Sequence, residues 1–344
     1  MLACRWKNIA RGRQADLPPT DDDPRWLDAA ASLAIRARPL STPNPCVAAI
    51  IVNRGRVIAR GWTGAGGRPH AEAIALQQAG SAAHGGTMHV TLEPCAHLSA
   101  RGPACADLLA ASGLAKVVIG CGDPDSRTNG QGIARLRGAG IAVELADHAP
   151  SRTSLAGFLT RQTRGRPHIT LKLAVSRDGF IGPLSGEPVM LTGAVARAHV
   201  HRQRALAEAI LVGGATLRND APRLDVRLPG LEARSPRRMV LTRGPAPAGW
   251  EQLPSPQAVH DLHAMQFLYV EGGAATAQAF LAAGLVDQLI IYRAPVTLGA
   301  GIPAYGALGP AVDGAPPAGF VRVDQRRLGS DMLFTYQPAT TGDS

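Results

Sequence analysis

Four side chains in the first half of the chain have the types and order that suit metal-assisted hydrolysis. His70 and Glu72 come from the stretch RPHAEAIAL, and Cys95 and Cys105 come from TLEPCAHLSARGPAC. Catalytic zinc commonly takes three nitrogen, sulfur or oxygen ligands from protein and leaves one position for water. With His70, Cys95 and Cys105 as ligands, Glu72 would be close enough to exchange a proton with that water. The pattern predicts a hydrolytic zinc site with Glu72 as its acid–base residue.

The alternative is a chance pair of buried thiols with a histidine that caps a helix. Five cysteines are present, at positions 4, 46, 95, 105 and 121. The N-terminal stretch has no apolar core typical of a secretory signal, so we expect a cytoplasmic protein in which cysteines stay reduced. Close cysteines in such a protein are more often metal ligands or catalytic groups than disulfides. Coincidence would not explain why each motif falls at the end of a predicted element.

The elements that would position these residues alternate between strands and helices from about residue 26 to 148. We predict strands at 47–52, 56–61, 87–92, 116–121 and 141–146, and helices at 71–79, 105–112 and 131–139. Such alternation predicts an α/β sandwich around a largely parallel sheet. Both cysteines would then lie at helix N-termini, where the helix dipole stabilises thiolate.

The second half of the chain is a second predicted α/β unit. Its strands are expected at 169–176, 207–214, 237–242, 267–273, 288–295 and 332–336. We predict a mobile N-terminal segment over 1–24, a first domain over 25–148, a polar linker over 149–167, a second domain over 168–338 and a tail over 339–344. No GxGxxG motif is present, which argues against a Rossmann domain. Instead, VEGGAATAQAF places paired glycines between a strand and a helix, an arrangement suited to a pyrophosphate.

Charge and hydropathy bear on possible partners. The net charge is +10, but only three of the 36 basic residues are lysines and the arginines are scattered. Aromatic residues make up 4% of the chain, which leaves few platforms for stacking of single-stranded bases. No apolar run approaches the roughly 18 residues of a membrane helix. We therefore expect neither a nucleic acid nor a membrane as partner.

The loop between the two cysteines is longer than in nucleoside and base deaminases of the His-x-Glu, Pro-Cys-x-x-Cys type. From about residue 26 to 337 the chain instead resembles the bifunctional riboflavin-biosynthesis deaminase/reductases. The resemblance is carried by TPNPCVAAIIV, PHAEAIAL, TLEPCAHLSARGPACADLL, GCGDPDSRTNGQGIARLRGAGI, LKLAVSRDGFIGPLSGE, ILVGGATLRNDAPRLDVR and YVEGGAATAQAFLAAGLVDQLIIYRAP. It implies a cytidine-deaminase-like α/β/α sandwich followed by a dihydrofolate-reductase-like α/β domain.

The same resemblance implies two successive reactions on a phosphorylated pyrimidine. The first half would use Zn²⁺ to deaminate 2,5-diamino-6-(5-phosphoribosylamino)pyrimidin-4(3H)-one. The second would use NADPH to reduce the ribosyl group, giving 5-amino-6-(5-phosphoribitylamino)uracil. A homodimer or higher homo-oligomer is the assembly that the family suggests.

Individual site residues follow from the resemblance, position by position. The residues expected to bind the nicotinamide cofactor are Ala174, Thr216, Asp220 and Gly273, with Lys172 and Asp178 near the nicotinamide. Those expected to bind substrate are Asn44, Arg204, Leu224, Arg227 and Glu271, with His97 and Arg101 as further candidates. From the residues alone, Asn44 could equally cap a turn, and Leu224 fits a core position. Arg243 could pair with the cofactor's 2′-phosphate or stand idle at the surface.

Three functions remain open from the sequence, and a departure from the family pattern bears on two of them. After SGE the family has Ser-x-Trp, whereas this chain has Pro188 and Met190, which removes a hydroxyl and an aromatic ring. The chain could therefore be a bifunctional enzyme, or a deaminase with an impaired or altered reductase domain. The third possibility, suggested by the charge, is a nucleic-acid-binding or structural zinc protein. Glu72 beside His70 argues against it, because a structural site needs no general base.

Overall fold

The computed structural model describes residues 20–97, 101–185, 187 and 189–339 of the 344-residue chain. Its helices are α1 Arg25–Ala34, α2 Ala71–Ala79, α3 Cys105–Ala110, α4 Gln131–Gly138, α5 Ala149–Ser154, α6 Ala156–Arg164, α7 Ala194–Arg204, α8 Gly214–Asp220 and α9 Ala274–Ala282. Its strands are β1 Ala48–Asn53, β2 Arg56–Trp62, β3 Thr87–Val90, β4 Lys116–Ile119, β5 Ala142–Leu145, β6 His168–Val175, β7 Ala209–Gly213, β8 Arg237–Leu241, β9 Glu251–Leu253, β10 Phe267–Val270, β11 Gln288–Arg293, β12 Phe320–Leu328 and β13 Asp331–Pro338. Each element predicted from the sequence is present, with ends that differ by a few residues.

The first sheet has the strand order β2-β1-β3-β4-β5. Strand β1 runs antiparallel to β2 and β3, whereas β3, β4 and β5 are parallel. Alternate residues of β1 face opposite sides of the sheet: Ile50 and Val52 pack on α1, whereas Ile51 lies in the core formed with α2, α3 and α4. Helices thus cover both faces, and the predicted α/β/α sandwich is confirmed.

The second sheet has the strand order β12-β13-β11-β6-β10-β7-β8-β9. The strands from β11 to β9 are parallel, and β13 and β12 add an antiparallel edge. Leu171, Leu173 and Phe280 of α9 are fully or almost fully buried in its main core. Two strands were not predicted from the sequence: β9 has only three residues, and the sequence of β12, FVRVDQRRL, is too charged to show an apolar alternation.

Residues 149–167, the predicted linker, are largely helical. Helices α5 and α6 occupy most of the segment, and Leu155 and Phe158 are buried in the core of the first domain. The burial of these two apolar residues was not predicted, because the segment around them is polar and rich in arginine. The segment connects the two sheets and also completes the packing of the first.

The last residues of the predicted mobile N-terminal segment are held against the first sheet. The Asp21 carboxylate accepts hydrogen bonds from the backbone N–H groups of Arg54 and Gly55 at the β1–β2 turn. Asp22 pairs with Lys116 at 2.8 Å. Residues 1–19 and the end of the predicted tail, 340–344, lie outside the described residues. Within the described part, each helix is too short or too polar to cross a bilayer.

Candidate functional site

Three predicted metal ligands meet where α2 and α3 begin. His70 immediately precedes α2, Cys105 is the first residue of α3, and Cys95 lies in the loop after β3. His70 Nδ1 is 3.1 Å from Cys105 Sγ and 3.6 Å from Cys95 Sγ. The backbone N–H of Cys105 donates to Cys95 Sγ at 3.3 Å. The three potential ligand atoms lie within 4.8 Å of one another.

The donor set fits zinc in both geometry and charge. With bonds of about 2.0 Å to nitrogen and 2.3 Å to sulfur, a tetrahedral zinc ion holds its ligand atoms about 3.6 Å apart. A hydrogen bond from Cys105 lowers the pKa of the Cys95 thiol to about 4. The same bond raises the pKa of the Cys105 thiol well above its usual value, so one proton between the two sulfurs is retained more strongly than the other. A divalent cation would replace that proton and neutralise both thiolates.

Glu72 lies beside the three ligands, on the first turn of α2. The residue is 4% exposed and lines the same cleft as His70 and Cys95. Burial raises the pKa of the Glu72 carboxyl above its usual value, because an ionised carboxylate loses its hydration there. A carboxyl group beside the three ligands, with its pKa raised in this way, is suited to taking up and releasing a proton.

A cleft of about 220 Å³ opens over this cluster. The Asn44 amide nitrogen lies 3.2 Å from His70 Nε2 and donates to the backbone oxygen of Gly67 at 3.1 Å. His97 and Arg101 also line the cleft, and Arg101 Nη2 donates to Gly66 O at 2.8 Å. The structure therefore brings together all the deaminase-half residues named from the sequence.

Several residues that shape this cleft were not predicted from the sequence. Glu93 is buried and accepts hydrogen bonds from the backbone N–H groups of Asp123, Gly130 and Ile133, at 3.1–3.3 Å. These bonds fix the loop that ends at α4, and burial raises the pKa of Asp123 in that loop to about 7. Helix α6 adds Phe158, Arg161 and Gln162 to the lining. The position of Glu93 two residues before Cys95 is a signal that could have pointed to it, whereas α6 offers no local signal.

A second cleft, of about 640 Å³, opens at the carboxyl ends of β7 and β10. The cofactor candidates Thr216, Asp220 and Gly273 line it, together with the first residues of α8 and α9. A Cβ atom on Gly272 would stand 2.3 Å from the Thr276 side chain, so only glycine allows α9 to begin this close to the strand. Backbone N–H groups and the positive end of the nine-residue α9 suit an anion such as a pyrophosphate.

Charged side chains next to this cleft form ion pairs with one another. Arg204 donates to both carboxylate oxygens of Glu271, and Lys172 Nζ lies 3.8 Å from the same carboxylate. Burial acts to raise the pKa of Glu271, but Lys172 and Arg204 outweigh it and hold that pKa below its usual value. Ala174 is two residues after Lys172 on β6, so both side chains face the same side of the sheet.

Of the predicted substrate residues, Leu224 is placed differently from the expectation. Leu224 is 4% exposed and packs with Ile210, Val212 and Tyr269, so its side chain belongs to the core. Its backbone has a φ of 55°, an unusual conformation for leucine. Contact with a substrate would therefore have to come from the backbone of Leu224. Arg227 is exposed and lies 3.4 Å from Asp225.

The remaining reductase candidates are outside the lining of the second cleft. The Asp178 carboxylate accepts hydrogen bonds from Ser176 Oγ and the backbone N–H groups of Leu298 and Gly299, which gives it a role in holding two loops together. Arg243 is exposed at the end of β8. Met190 is 75% exposed, and Pro188 lies outside the described residues.

Comparisons with known proteins agree with both halves of the structure. Residues 20–121 match the cytidine and deoxycytidylate deaminase zinc-binding region, and residues 167–312 match the RibD C-terminal domain. The riboflavin biosynthesis protein RibD of Escherichia coli (strain K12) is 35% identical, over 80% of this chain and 89% of its own length. That of Aquifex aeolicus (strain VF5) is 32% identical, over 83% of this chain and 90% of its own. The chain belongs to the RibD family.

Solved RibD structures share the architecture of the whole chain. Acinetobacter baumannii RibD, form 1, superposes with a TM-score of 0.79 at 32% identity, covering 92% of this chain and 98% of its own. A Thermotoga maritima diaminohydroxyphosphoribosylaminopyrimidine deaminase/5-amino-6-(5-phosphoribosylamino)uracil reductase gives a TM-score of 0.80 at 28% identity, with the same coverage. As a RibD family member, the chain is a bifunctional enzyme of riboflavin biosynthesis, with a zinc-dependent deaminase domain and an NADPH-dependent reductase domain. The fold, activities and cofactors predicted from the sequence are confirmed.

Proposed function

We propose that the first domain deaminates 2,5-diamino-6-(5-phosphoribosylamino)pyrimidin-4(3H)-one and that the second reduces the product to 5-amino-6-(5-phosphoribitylamino)uracil. The observation that carries the proposal is the cluster of His70, Cys95 and Cys105 with the buried carboxyl of Glu72 in one cleft. The activity named for the Thermotoga maritima relative, which is similar over nearly the whole chain, supports the choice of substrate.

In the deaminase domain, His70, Cys95 and Cys105 would hold the metal. Zinc bound there would supply the Lewis acidity that makes a water molecule acidic near neutral pH. Glu72 accepts the proton of that water on its carboxylate and delivers it to the nitrogen of the departing amine. The Asn44 amide, 3.2 Å from His70, orients the edge of the pyrimidine ring.

In the reductase domain, the residues of the second cleft would hold NADPH, which supplies the hydride. The glycine pair before α9 and the N-terminus of that helix would bind the pyrophosphate, and Thr216 and Asp220 on α8 would contact the cofactor. Ala174 and Lys172, on the central strand β6, would lie near the nicotinamide. Glu271 contacts the ribosyl group and is held in place by Arg204.

A phosphate group on the substrate would account for the arginines near each site. Arg101 and Arg161 line the first cleft, and Arg227 lies on the reductase domain. A guanidinium group can bind a phosphate with two parallel hydrogen bonds. We also propose a homodimer or higher homo-oligomer that acts in the cytoplasm on this small molecule, without nucleic acid or membrane as partner.

A deaminase with an altered reductase domain is the second candidate. The observation that favours it is Met190, which is 75% exposed next to the second cleft where the family has an aromatic residue. A two-stage assay separates the candidates: ammonia release from the diaminopyrimidine phosphate is followed without NADPH, and absorbance at 340 nm after its addition. We expect ammonia release followed by NADPH consumption. Ammonia release alone would establish the second candidate, and the absence of both signals would refute the proposal.

A further inference from the structure

The loop that carries Asn44 rests on the reductase domain. Gln266 Nε2 donates to the backbone oxygen of Asn44 at 2.7 Å. The hydroxyl group of Thr42 donates to Glu208, and Arg38 Nε donates to the backbone oxygen of Leu206 at 2.8 Å. These reductase residues precede β7 and β10, so they lie at the amino edge of the second sheet. The NADPH cleft lies at the opposite, carboxyl edge of the same strands.

The sequence of this loop limits the number of backbone hydrogen bonds that the loop can form within itself. Asn44 stands between Pro43 and Pro45, and proline has no backbone N–H group to donate. The Asn44 N–H donates to Ser41 O at 2.9 Å, within the same short loop. The hydrogen bond from Gln266 therefore ties the centre of the loop to an element outside it.

The reductase end of this contact is rigid. Gln266 is 2% exposed, and its backbone oxygen accepts a 2.8 Å hydrogen bond from the N–H of His168 on the neighbouring β6. The Glu208 carboxylate accepts from the backbone N–H groups of Gln266 and Phe267 at 2.7 and 2.6 Å. The donor is thus fixed by the central strands of the second sheet.

At the other end, the Asn44 side chain projects into the deaminase cleft, next to His70. A displacement of the Asn44 backbone moves its amide group relative to the ring that it orients, and errors of about 1 Å in such groups cost up to about 10²-fold in rate. We propose that Gln266 is a positioning residue for the deamination: the reductase domain sets the orientation of the Asn44 amide. The proposal rests on the deaminase function proposed above.

The test is Gln266→Met, which keeps the length of the side chain and removes the donor. We expect kcat/KM for ammonia release to fall by about tenfold, mainly through KM, because Asn44 contacts the bound base. Zinc content and NADPH-dependent reduction of the separately supplied deaminated intermediate should stay within about twofold of wild type. Gln288→Met is the matched control, since Gln288 begins β11 and its side chain contacts Thr170 within the second sheet.

Hydrogen exchange of peptides that cover residues 39–48 gives a readout independent of activity. We expect faster exchange there in Gln266→Met and no change in Gln288→Met. Thr42→Val, which removes the neighbouring contact with Glu208, should act in the same direction if Gln266→Met does not fold. Unchanged exchange and kcat/KM would overturn the inference, as would an equal loss of both activities with a lower Tm. Lack of ammonia release by the wild type would refute the proposed function, while the exchange data would still decide the role of Gln266.

Discussion

Arg204 donates hydrogen bonds of 2.7 and 2.8 Å to the two carboxylate oxygens of Glu271. Both side chains were expected to bind substrate, and the arginine was expected to suit its phosphate. The side chains are 11% and 9% exposed, respectively, so the pair is largely withdrawn from water. The main role of Arg204 in this structure is therefore to pair with Glu271, which keeps that carboxylate ionised and oriented. Arg227, with a side chain that is 59% exposed, remains available for a phosphate.

Loss of one member of this pair should destabilise the reductase domain. Arg204→Met would leave the buried Glu271 with only Lys172 at 3.8 Å, and we expect a cost of about 3 kcal/mol in the free energy of unfolding. Arg227→Met, at an exposed ion pair, should cost less than about 1 kcal/mol. Urea denaturation of Arg204→Met, of Glu271→Gln and of the double variant measures the coupling free energy between the two side chains. A strictly additive double variant would show that the two residues do not interact.

Replacement of Glu72 should separate the two activities. Glu72→Gln keeps the size of the side chain but cannot exchange a proton, so kcat for ammonia release should fall by about 10²- to 10⁴-fold. Zinc content and reduction of the deaminated intermediate should match the wild type. Loss of zinc in this variant would instead assign Glu72 a structural role at the metal site.

Removal of the metal should have the same selectivity. Treatment with a chelator, or the substitution Cys105→Ser, should abolish zinc binding and ammonia release, because three ligands are needed to hold the ion. NADPH consumption with the deaminated intermediate should persist, since the second cleft contains none of the three ligands. Cys121→Ser, at a cysteine outside the cluster, is the control and should retain zinc. Zinc bound at full stoichiometry by Cys105→Ser would contradict the assignment.

A methyl group at Gly273 should interfere with the cofactor. The Cβ atom of alanine there would meet Thr216 Oγ1 at an ordinary contact distance of 3.5 Å, so the fold should tolerate it. The added methyl would occupy the approach of a pyrophosphate to the N-terminus of α9, and we expect the KM for NADPH to rise by about tenfold. Gly138→Ala, on α4 of the first domain, should leave it unchanged. An unaltered KM in Gly273→Ala would place the cofactor elsewhere.

His168 should make the protein less stable as the pH falls. Burial lowers the pKa of His168 to about 4 in the folded protein, against about 6.5 for an exposed histidine. The unfolded chain therefore binds a proton first, and stability that is fully present above about pH 6.5 is lost progressively towards pH 4. A shift of this size corresponds to about 3 kcal/mol. The stability of His168→Leu should depend less steeply on pH between 7 and 4.5, and an equal slope in both proteins would exclude His168 as the cause.

The sequence by itself determined the elements and the chemistry of the deaminase half. Runs of apolar residues specified the strands, and residue types at their ends specified the zinc ligands and Glu72, because metal and proton chemistry admits few side chains. Alternating periodicity could not reveal β12, since its exposed edge position lets charged residues fill both faces.

Only the tertiary structure decided how distant segments complete the sites. Helix α6, predicted as a linker, supplies Phe158 and Arg161 to the first cleft, and Gln266 of the second domain holds Asn44 of the first. Arg204 pairs with Glu271, although the two residues are 67 positions apart in sequence. Local pattern carries no information on these contacts, because their partners are set by how the helices and sheets pack. A buried polar group must find a partner, and the fold determines which one it finds.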